Sequence, residues 1–330
     1  MKLETYTRHW RPAELPQRRD GDTSSANATR PVFRFAPSPN GPLHLGHALS
    51  ALLNFDMAQR LGGRFLVRIE DIDLGRTREE HVTGIFEDLA WLGMTWEEPV
   101  LRQSEHFATY QAAAHTLLKL GLLYPCFATR AEISEASSKH PPAARDPDGA
   151  PLYPGLHKNL AKEEIAERIA REEPFALRLD MERALDRIEA ETGARRVTFT
   201  ELDDEDRAQE IEADPAVWGD AVIVRKDTPA SYHLACVVDD ARQGITHVVR
   251  GRDLYAATAL HRLLQVLLGI RPPVYHHHRL LTGPDGRKLA KSAGARALSD
   301  LRSEGVTAAE VRARAGLAHQ SLTIPAEDRS

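Results

Sequence analysis

Cysteine is scarce in this chain: Cys126 and Cys236 stand alone among 330 residues and lie far apart. That spacing gives no disulfide framework and suits a reducing compartment. Long apolar runs are missing as well. The start, Met1-Lys-Leu-Glu-Thr-Tyr-Thr-Arg-His-Trp10, lacks a signal-peptide core, and no stretch approaches membrane-spanning length, so the sequence predicts a cytoplasmic protein without a membrane partner. An excess of positive charge is also absent. With a net charge of −5 and a pI near 6.3, the chain has no overall attraction for nucleic acid. Any RNA contact must come from local basic surface, with salt-dependent affinity. There is no internal repeat and no low-complexity tract. What remains, 42% hydrophobic and 28% charged, is ordinary for a globular protein long enough for a catalytic domain with subsidiary parts.

Residues 1–30 mix Arg, Pro, Ser and Thr without apolar periodicity and are expected to be a poorly ordered extension. From 31 to 122 strand and helix patterns alternate. Phe65–Ile69 reads as a buried strand, and Val82–Leu92 and Phe107–Leu120 as helices. Such βαβ alternation predicts an α/β fold whose site lies at the carboxyl ends of parallel strands. Residues 123–214 change character: a Pro/Gly-broken loop at 139–149, a charged surface helix at Lys162–Glu172, and a polar stretch from Arg187 to Gln209. They read as an inserted subdomain. Alternation returns over 215–270, with strands at Ala221–Val224 and Ile245–Val249 and an amphipathic helix at Tyr255–Leu268. Residues 271–330 carry a charged loop and a terminal helix near Ala308–Ala315.

One segment outweighs the rest: Phe33-Arg-Phe-Ala-Pro-Ser-Pro-Asn-Gly-Pro-Leu-His-Leu-Gly-His47. It reads as a short strand, a broken turn and the start of the amphipathic run Ala48–Phe55. A strand feeding a helix through such a turn gathers backbone N–H groups at one spot, with the helix dipole behind them. That spot suits a phosphate. His44 and His47, three residues apart, share one face of the first turn and can hydrogen-bond charge developing on the phosphate. Far downstream, Leu281-Thr-Gly-Pro-Asp-Gly-Arg-Lys-Leu-Ala-Lys-Ser292 is a glycine- and proline-punctuated loop carrying Arg287, Lys288 and Lys291. Alone it would be a solvated turn.

Together the two segments resemble the "HIGH" and "KMSKS" signatures of class I aminoacyl-tRNA synthetases, with His44-Leu-Gly-His47 for the first and Lys288-Leu-Ala-Lys-Ser292 for the second. Ala290 replaces the familiar central serine but leaves both lysines. Arg68-Ile-Glu-Asp-Ile-Asp73 with Arg76, Trp218–Asp227, Tyr232–Asp240 and Gly244–Leu254 resemble the glutamyl/glutaminyl branch. The likeness runs from about Val32 to Ser292 and leaves about forty residues, where full-length glutamyl-tRNA synthetases continue into an anticodon-binding domain. In this the chain is similar to the glutamyl-Q tRNA(Asp) synthetase family. The resemblance implies a Rossmann-like class I synthetase core with an inserted subdomain and a short helical C-terminal region. It also implies a monomeric ligase that uses ATP with Mg²⁺ to activate L-glutamate and attaches it to queuosine in the anticodon stem-loop of tRNA(Asp). Three alternatives stay open: a truncated glutamyl-tRNA synthetase charging the 3′ end of tRNA(Glu), another HxGH nucleotidyltransferase, and a non-catalytic tRNA-binding module.

By the same resemblance His44, His47, Lys288 and Lys291 are catalytic, and Gly41, His44, Gly46, His47 and Lys291 hold ATP. Arg34, Ser38, Glu70, Tyr232 and Arg250 match positions that bind glutamate. The chemistry agrees: arginine forks suit the two carboxylates, and Glu70 suits the ammonium. The alternatives are strand-end surface ion pairs for the arginines and, for Glu70 with Asp71 and Asp73, a solvated or cation-binding cluster. Relatives often carry a zinc site in the insertion, and the matching positions here are Cys126, Ala128, Tyr153 and His157. Only Cys126 and His157 are strong ligands where structural zinc wants four, so no structural zinc is expected. The insertion is then expected to be held by apolar packing around Leu152, Tyr153 and Leu156. The run Tyr275-His-His-His278 is not read as a metal site, because consecutive side chains on a strand point apart.

Overall fold

The computed structural model describes residues 30–139, 144–282 and 296–317. Along the chain, β1 (Val32–Phe35), α1 (Leu45–Arg60), β2 (Arg64–Ile69), α2 (Glu79–Trp91) and β3 (Glu97–Arg102) alternate. There follow α3 (Phe107–Lys119), β4 (Leu123–Cys126), α4 (Arg130–Ser138), α5 (Lys162–Ala170), β5 (Ala176–Leu179) and α6 (Met181–Thr192). Then come β6 (Val197–Leu202), β7 (Ala208–Ala213), β8 (Val222–Val224), α7 (Tyr232–Arg242) and β9 (His247–Gly251). The series ends with α8 (Ala257–Leu267), β10 (Val274–His278), α9 (Leu298–Ser303) and α10 (Ala308–Arg314). Two compact units result. One comprises residues 30–102, Thr246–Asp253 and the described residues from His276 on; the other comprises Gln103–Ile245 and Leu254–Tyr275.

In the first unit the strand order is β3-β2-β1-β9-β10. β1 pairs in parallel with β2 (Phe33 opposite Phe65) and with β9 (Phe33 opposite His247), and β2 pairs in parallel with β3. Strands covered on both faces read as apolar runs rather than alternations. β1 is buried throughout, as is β2 after Arg64. α1 packs on this sheet and buries Leu49, Leu52 and Phe55, each of which contributes roughly 1.5–3 kcal/mol by leaving water. Asn54 ties helix to sheet, its Nδ2 donating to the Ser50 carbonyl at 2.8 Å and the Val249 carbonyl at 2.9 Å. From the C-terminal side, the Arg312 fork grips Asp56 of α1 at 2.8 and 2.6 Å.

The second unit contains an antiparallel sheet in the order β4-β5-β8 and the hairpin β6–β7, with β6 also parallel to the first residues of β10 (Glu201 opposite Tyr275). Asp239 of α7 is fully buried and accepts from Gln103 Nε2 at 3.0 Å and Tyr110 Oη at 2.7 Å. The polar stretch 187–209 proves to hold the end of α6 and most of the hairpin. β7 exposes residues on both faces and so lacks the apolar alternation that marks a strand. α6 is bounded by an Asp180 cap and by Gly193 at φ +81°, a left-handed end that glycine adopts without strain.

Candidate active site

β1 hands the chain to α1 through Ala36–Leu43, and the two histidines finish the turn. His44 is the N-cap of α1, with an extended backbone (φ −131°, ψ 176°). Its Nδ1 accepts from the Gly46 N–H at 3.1 Å, while the His44 N–H donates to Nδ1 of His47 at 3.1 Å. Two otherwise orphaned amides of the first turn are satisfied by imidazoles instead of the usual hydroxyl or carboxylate. The rings pack against each other at a tilt, with centroids 3.8 Å apart and planes inclined by 31°. Because both Nδ1 atoms accept, both neutral rings carry their proton on Nε2, and Nε2 is the atom through which each can donate. Space is tight at the glycine between them: a Cβ on Gly46 would lie 3.0 Å from Cε1 of His44, so the imidazole would have to shift. Gly41, at φ +153°, makes the bend before them.

The carboxyl ends of β1, β2 and β9 meet at this turn. The Glu70 N–H donates to the Pro37 carbonyl at 3.0 Å, fixing the end of β2 against the turn that carries the exposed Ser38. Arg34 on β1, Arg250 on β9 and Glu70 just past the end of β2 are at most 9% exposed, which removes the surface-ion-pair reading for the two arginines and the solvated reading for Glu70. Glu70 accepts from Nη2 of the fully buried Arg68 at 3.0 Å. Beyond it, Asp71 and Glu79 both receive Arg102. Arg250 donates from Nε to Nε2 of His277 at 3.1 Å. The structure thus brings Arg34, the Ser38 turn, Gly41, His44, Gly46, His47, Glu70 and Arg250 into one unit. Tyr232 heads α7 in the other unit, its ring packed on His233 and His261. Lys288 and Lys291 lie outside the described residues, as does the site of Ala290. The flanks of that segment are described. Ala297 forms a bridge to His44, the Leu298 N–H donates to the Leu43 carbonyl at 2.8 Å, and Leu281 packs with Leu49 of α1. Both ends of the lysine-bearing segment therefore rest on the first turns of the histidine helix.

The family model for tRNA synthetases class I (E and Q), catalytic domain, matches residues 32–313. The chain belongs to this class I synthetase family. It is 43% identical over 287 residues to a glutamyl-Q tRNA(Asp) synthetase of Rhodobacter capsulatus, a match covering 87% of this chain and 100% of that protein. It is 35% identical over 272 residues to glutamate–tRNA ligase 2 of Thermoanaerobacter pseudethanolicus, covering 82% of this chain and 53% of that enzyme. Among solved structures, a glutamate tRNA ligase of Elizabethkingia meningosepticum, in complex with its amino acid, matches with a TM-score of 0.65 and 28% identity, covering 81% of this chain and 53% of that one. The chain thus spans about half the length of the glutamate ligases it matches and all of the Rhodobacter protein.

The positions matching the family's zinc site do stand together, but their donors do not fit a four-ligand metal. His157 turns Nδ1 to the N–H groups of Phe127 and Ala128, at 3.1 and 3.0 Å, and its own N–H donates to Tyr153 Oη at 2.8 Å. Burial first, then the positive charge of Arg168, holds the His157 imidazole below its ordinary pKa, which keeps Nδ1 an acceptor. Burial and a hydrogen bond with Cys126 push the Tyr153 hydroxyl up. Arg168 lies over the Phe127 ring and Arg178 over the Tyr153 ring, 4.0 Å from its centroid. Among the described residues, no group of three or more His, Cys, Asp or Glu is placed to hold a metal. Packing around Leu156 is not what holds this loop, because that side chain is 42% exposed. Likewise, no described helix is long and apolar enough to cross a membrane.

Sequence reasoning passed over two residues of the site. Arg68 entered only as a letter of its motif, although a charged residue inside an apolar strand, two places before Glu70 and on the same face, is a signal for a buried pair. His277 was weighed only as a metal ligand, and no local pattern links it to Arg250 across 27 residues.

Proposed function

We propose that this chain activates L-glutamate with ATP and transfers it to queuosine in the anticodon stem-loop of tRNA(Asp). In the first step a glutamate α-carboxylate oxygen attacks the α-phosphorus in line, the bond to the bridging oxygen breaks, and pyrophosphate leaves with its electron pair. No enzyme nucleophile is needed. The step asks for positioning and for charge placed where the transition state becomes negative, with Mg²⁺ accompanying the triphosphate. Nε2 of His44 and His47 would donate to the phosphate, Lys288 and Lys291 would meet the leaving pyrophosphate, and Gly41 and Gly46 would let the backbone approach. Arg34 and Arg250 would take carboxylates and Glu70 the ammonium. Ser38 and Tyr232 join them by resemblance. In the second step a hydroxyl of the queuosine ring attacks the acyl carbon, loses its proton, and AMP departs.

The observation that carries the reading is the packed pair of histidines whose Nδ1 atoms cap the first turn, after the carboxyl end of β1. The acceptor rests on the likeness, along its whole length, to the Rhodobacter glutamyl-Q tRNA(Asp) synthetase. The test has two arms. Glutamate-dependent exchange of labelled pyrophosphate into ATP should proceed without RNA; its absence overturns the first step. Labelled glutamate should then enter 3′-deoxy tRNA(Asp) that contains queuosine and not tRNA(Asp) that lacks it. Labelling that is independent of queuosine, or that needs the 3′-terminal hydroxyls, overturns the second step in favour of 3′-end charging. A single sedimenting species at the chain mass would support action as a monomer.

A further inference from the structure

Arg250, one of the glutamate-binding candidates, has a side-chain partner on a neighbouring strand. It sits on β9 and His277 on the neighbouring β10, both at most 6% exposed. The guanidinium donates from Nε to imidazole Nε2 at 3.1 Å. A nitrogen that accepts from a permanently charged arginine must hold a lone pair, so His277 is neutral with its proton on Nδ1. This is the opposite tautomer to that of His44 and His47. The next residue has a different partner: His278 Nδ1 lies 2.8 Å from the Arg279 carbonyl, and burial lowers its pKa.

We infer that His277 is a positioning residue for glutamate recognition: it fixes the fork of Arg250 by accepting its Nε–H, so that carboxylate binding falls to the Nη groups. This rests on the reading of Arg250 as a glutamate ligand. A buried guanidinium held at Nε loses most of its rotamer freedom before substrate arrives, and the ordering is then not charged to binding. Without an acceptor at that point the fork would also leave a buried N–H unsatisfied, and it would turn to find another partner.

The experiment measures pyrophosphate exchange in the full chain, following KM for glutamate and for ATP separately, in His277→Gln, His277→Leu, Arg250→Ala and the double variant His277→Leu/Arg250→Ala. Gln and Leu both fill the buried volume, but only Gln offers an acceptor. His277→Leu should raise KM for glutamate about tenfold or more, the cost of a lost hydrogen bond to a charged group, with kcat and KM for ATP little changed. His277→Gln should restore most of it, and the double variant should be no worse than Arg250→Ala alone. Equal KM for glutamate in the Gln and Leu variants overturns the inference. If Arg250→Ala itself leaves KM for glutamate unchanged, the glutamate-site reading fails, a result distinguishable from the first. On the unaltered protein, ¹⁵N spectra should show His277 as the Nδ1–H tautomer; an Nε2–H or doubly protonated ring also overturns the inference.

Discussion

The histidine turn at the head of α1 and the loop around His157 use one device for two purposes. In each, an imidazole Nδ1 takes backbone N–H groups that would otherwise be unsatisfied. At the turn the two rings pack against each other at a helix N-terminus, and fixing Nδ1 leaves the proton on Nε2, which under the proposed function would donate to the phosphate. At His157 the same kind of bond ties residue 157 to the chain at Phe127 and Ala128, among the positions that match the expected family zinc site.

The largest effect should come from separating the two jobs at the turn. His47→Ala removes both the cap and the Nε2 donor and is expected to lower kcat of pyrophosphate exchange by about 100-fold or more. His47→Asn keeps an acceptor for the His44 N–H but has no donor at the ring's far edge. It should recover about 1 kcal/mol of lost stability while leaving exchange slow. Exchange at the unaltered rate in His47→Ala would dissolve the contrast with His157.

At the other region the expectation is reversed. His157→Ala leaves two amides without their acceptor and should cost about 1–3 kcal/mol of stability, read from denaturant midpoints, while exchange by the folded protein persists. The pH dependence follows from the sign of the shift. The imidazole's pKa in the folded protein lies below its ordinary 6.5, so the unfolded chain binds the proton more readily. The contribution is complete above about pH 6.5 and is lost as pH falls through the depressed value, and His157→Ala should flatten that part of the curve. Elemental analysis belongs to the same comparison. Protein purified without a histidine tag should hold no stoichiometric zinc after dialysis against a chelator, and one zinc per chain would show the hydrogen-bonded loop to be a metal site after all.

The legibility of the two regions differs for a physical reason. The turn was readable because strand, bend, glycine and paired histidines are contiguous, and local chemistry decides their geometry. α1 was foreseen from Ala48 to Phe55 and runs from Leu45 to Arg60. Its start at the two histidines was legible, because they were read onto the first helical turn; its continuation to Arg60 was not. Arg34, Glu70 and Arg250 were named by resemblance, but only the fold shows that they sit on or just past adjacent strands and are buried. The His157 loop was opaque. The missing ligands could be counted, yet what replaces them is a bond from residue 157 to the amides at 127 and 128, with no sequence periodicity. β7 was missed because a hairpin strand exposed on both sides carries no apolar rhythm.

The smallest effect sharpens the pH comparison. Asp88 of α2 is buried and faces Arg302 at 3.4 Å, and burial outweighs that charge to push its carboxyl up to about 6. A raised acid binds its proton more tightly in the folded protein. Its stabilising contribution is therefore complete below pH 3.8 and declines as pH rises toward 6, the opposite sense to His157 over a neighbouring range. Between pH 4 and 6.5 the two should partly cancel in the whole protein and separate in variants. Asp88→Asn stays neutral throughout and should be more stable than the parent by about 1 kcal/mol at pH 7.5, with Arg302 offsetting part of the burial cost, and indistinguishable from it near pH 4. Thermal midpoints of the parent, Asp88→Asn and His157→Ala at those two pH values decide the matter. A loss of stability in Asp88→Asn at pH 7.5 would mean that the ion pair with Arg302 outweighs the burial of the charge.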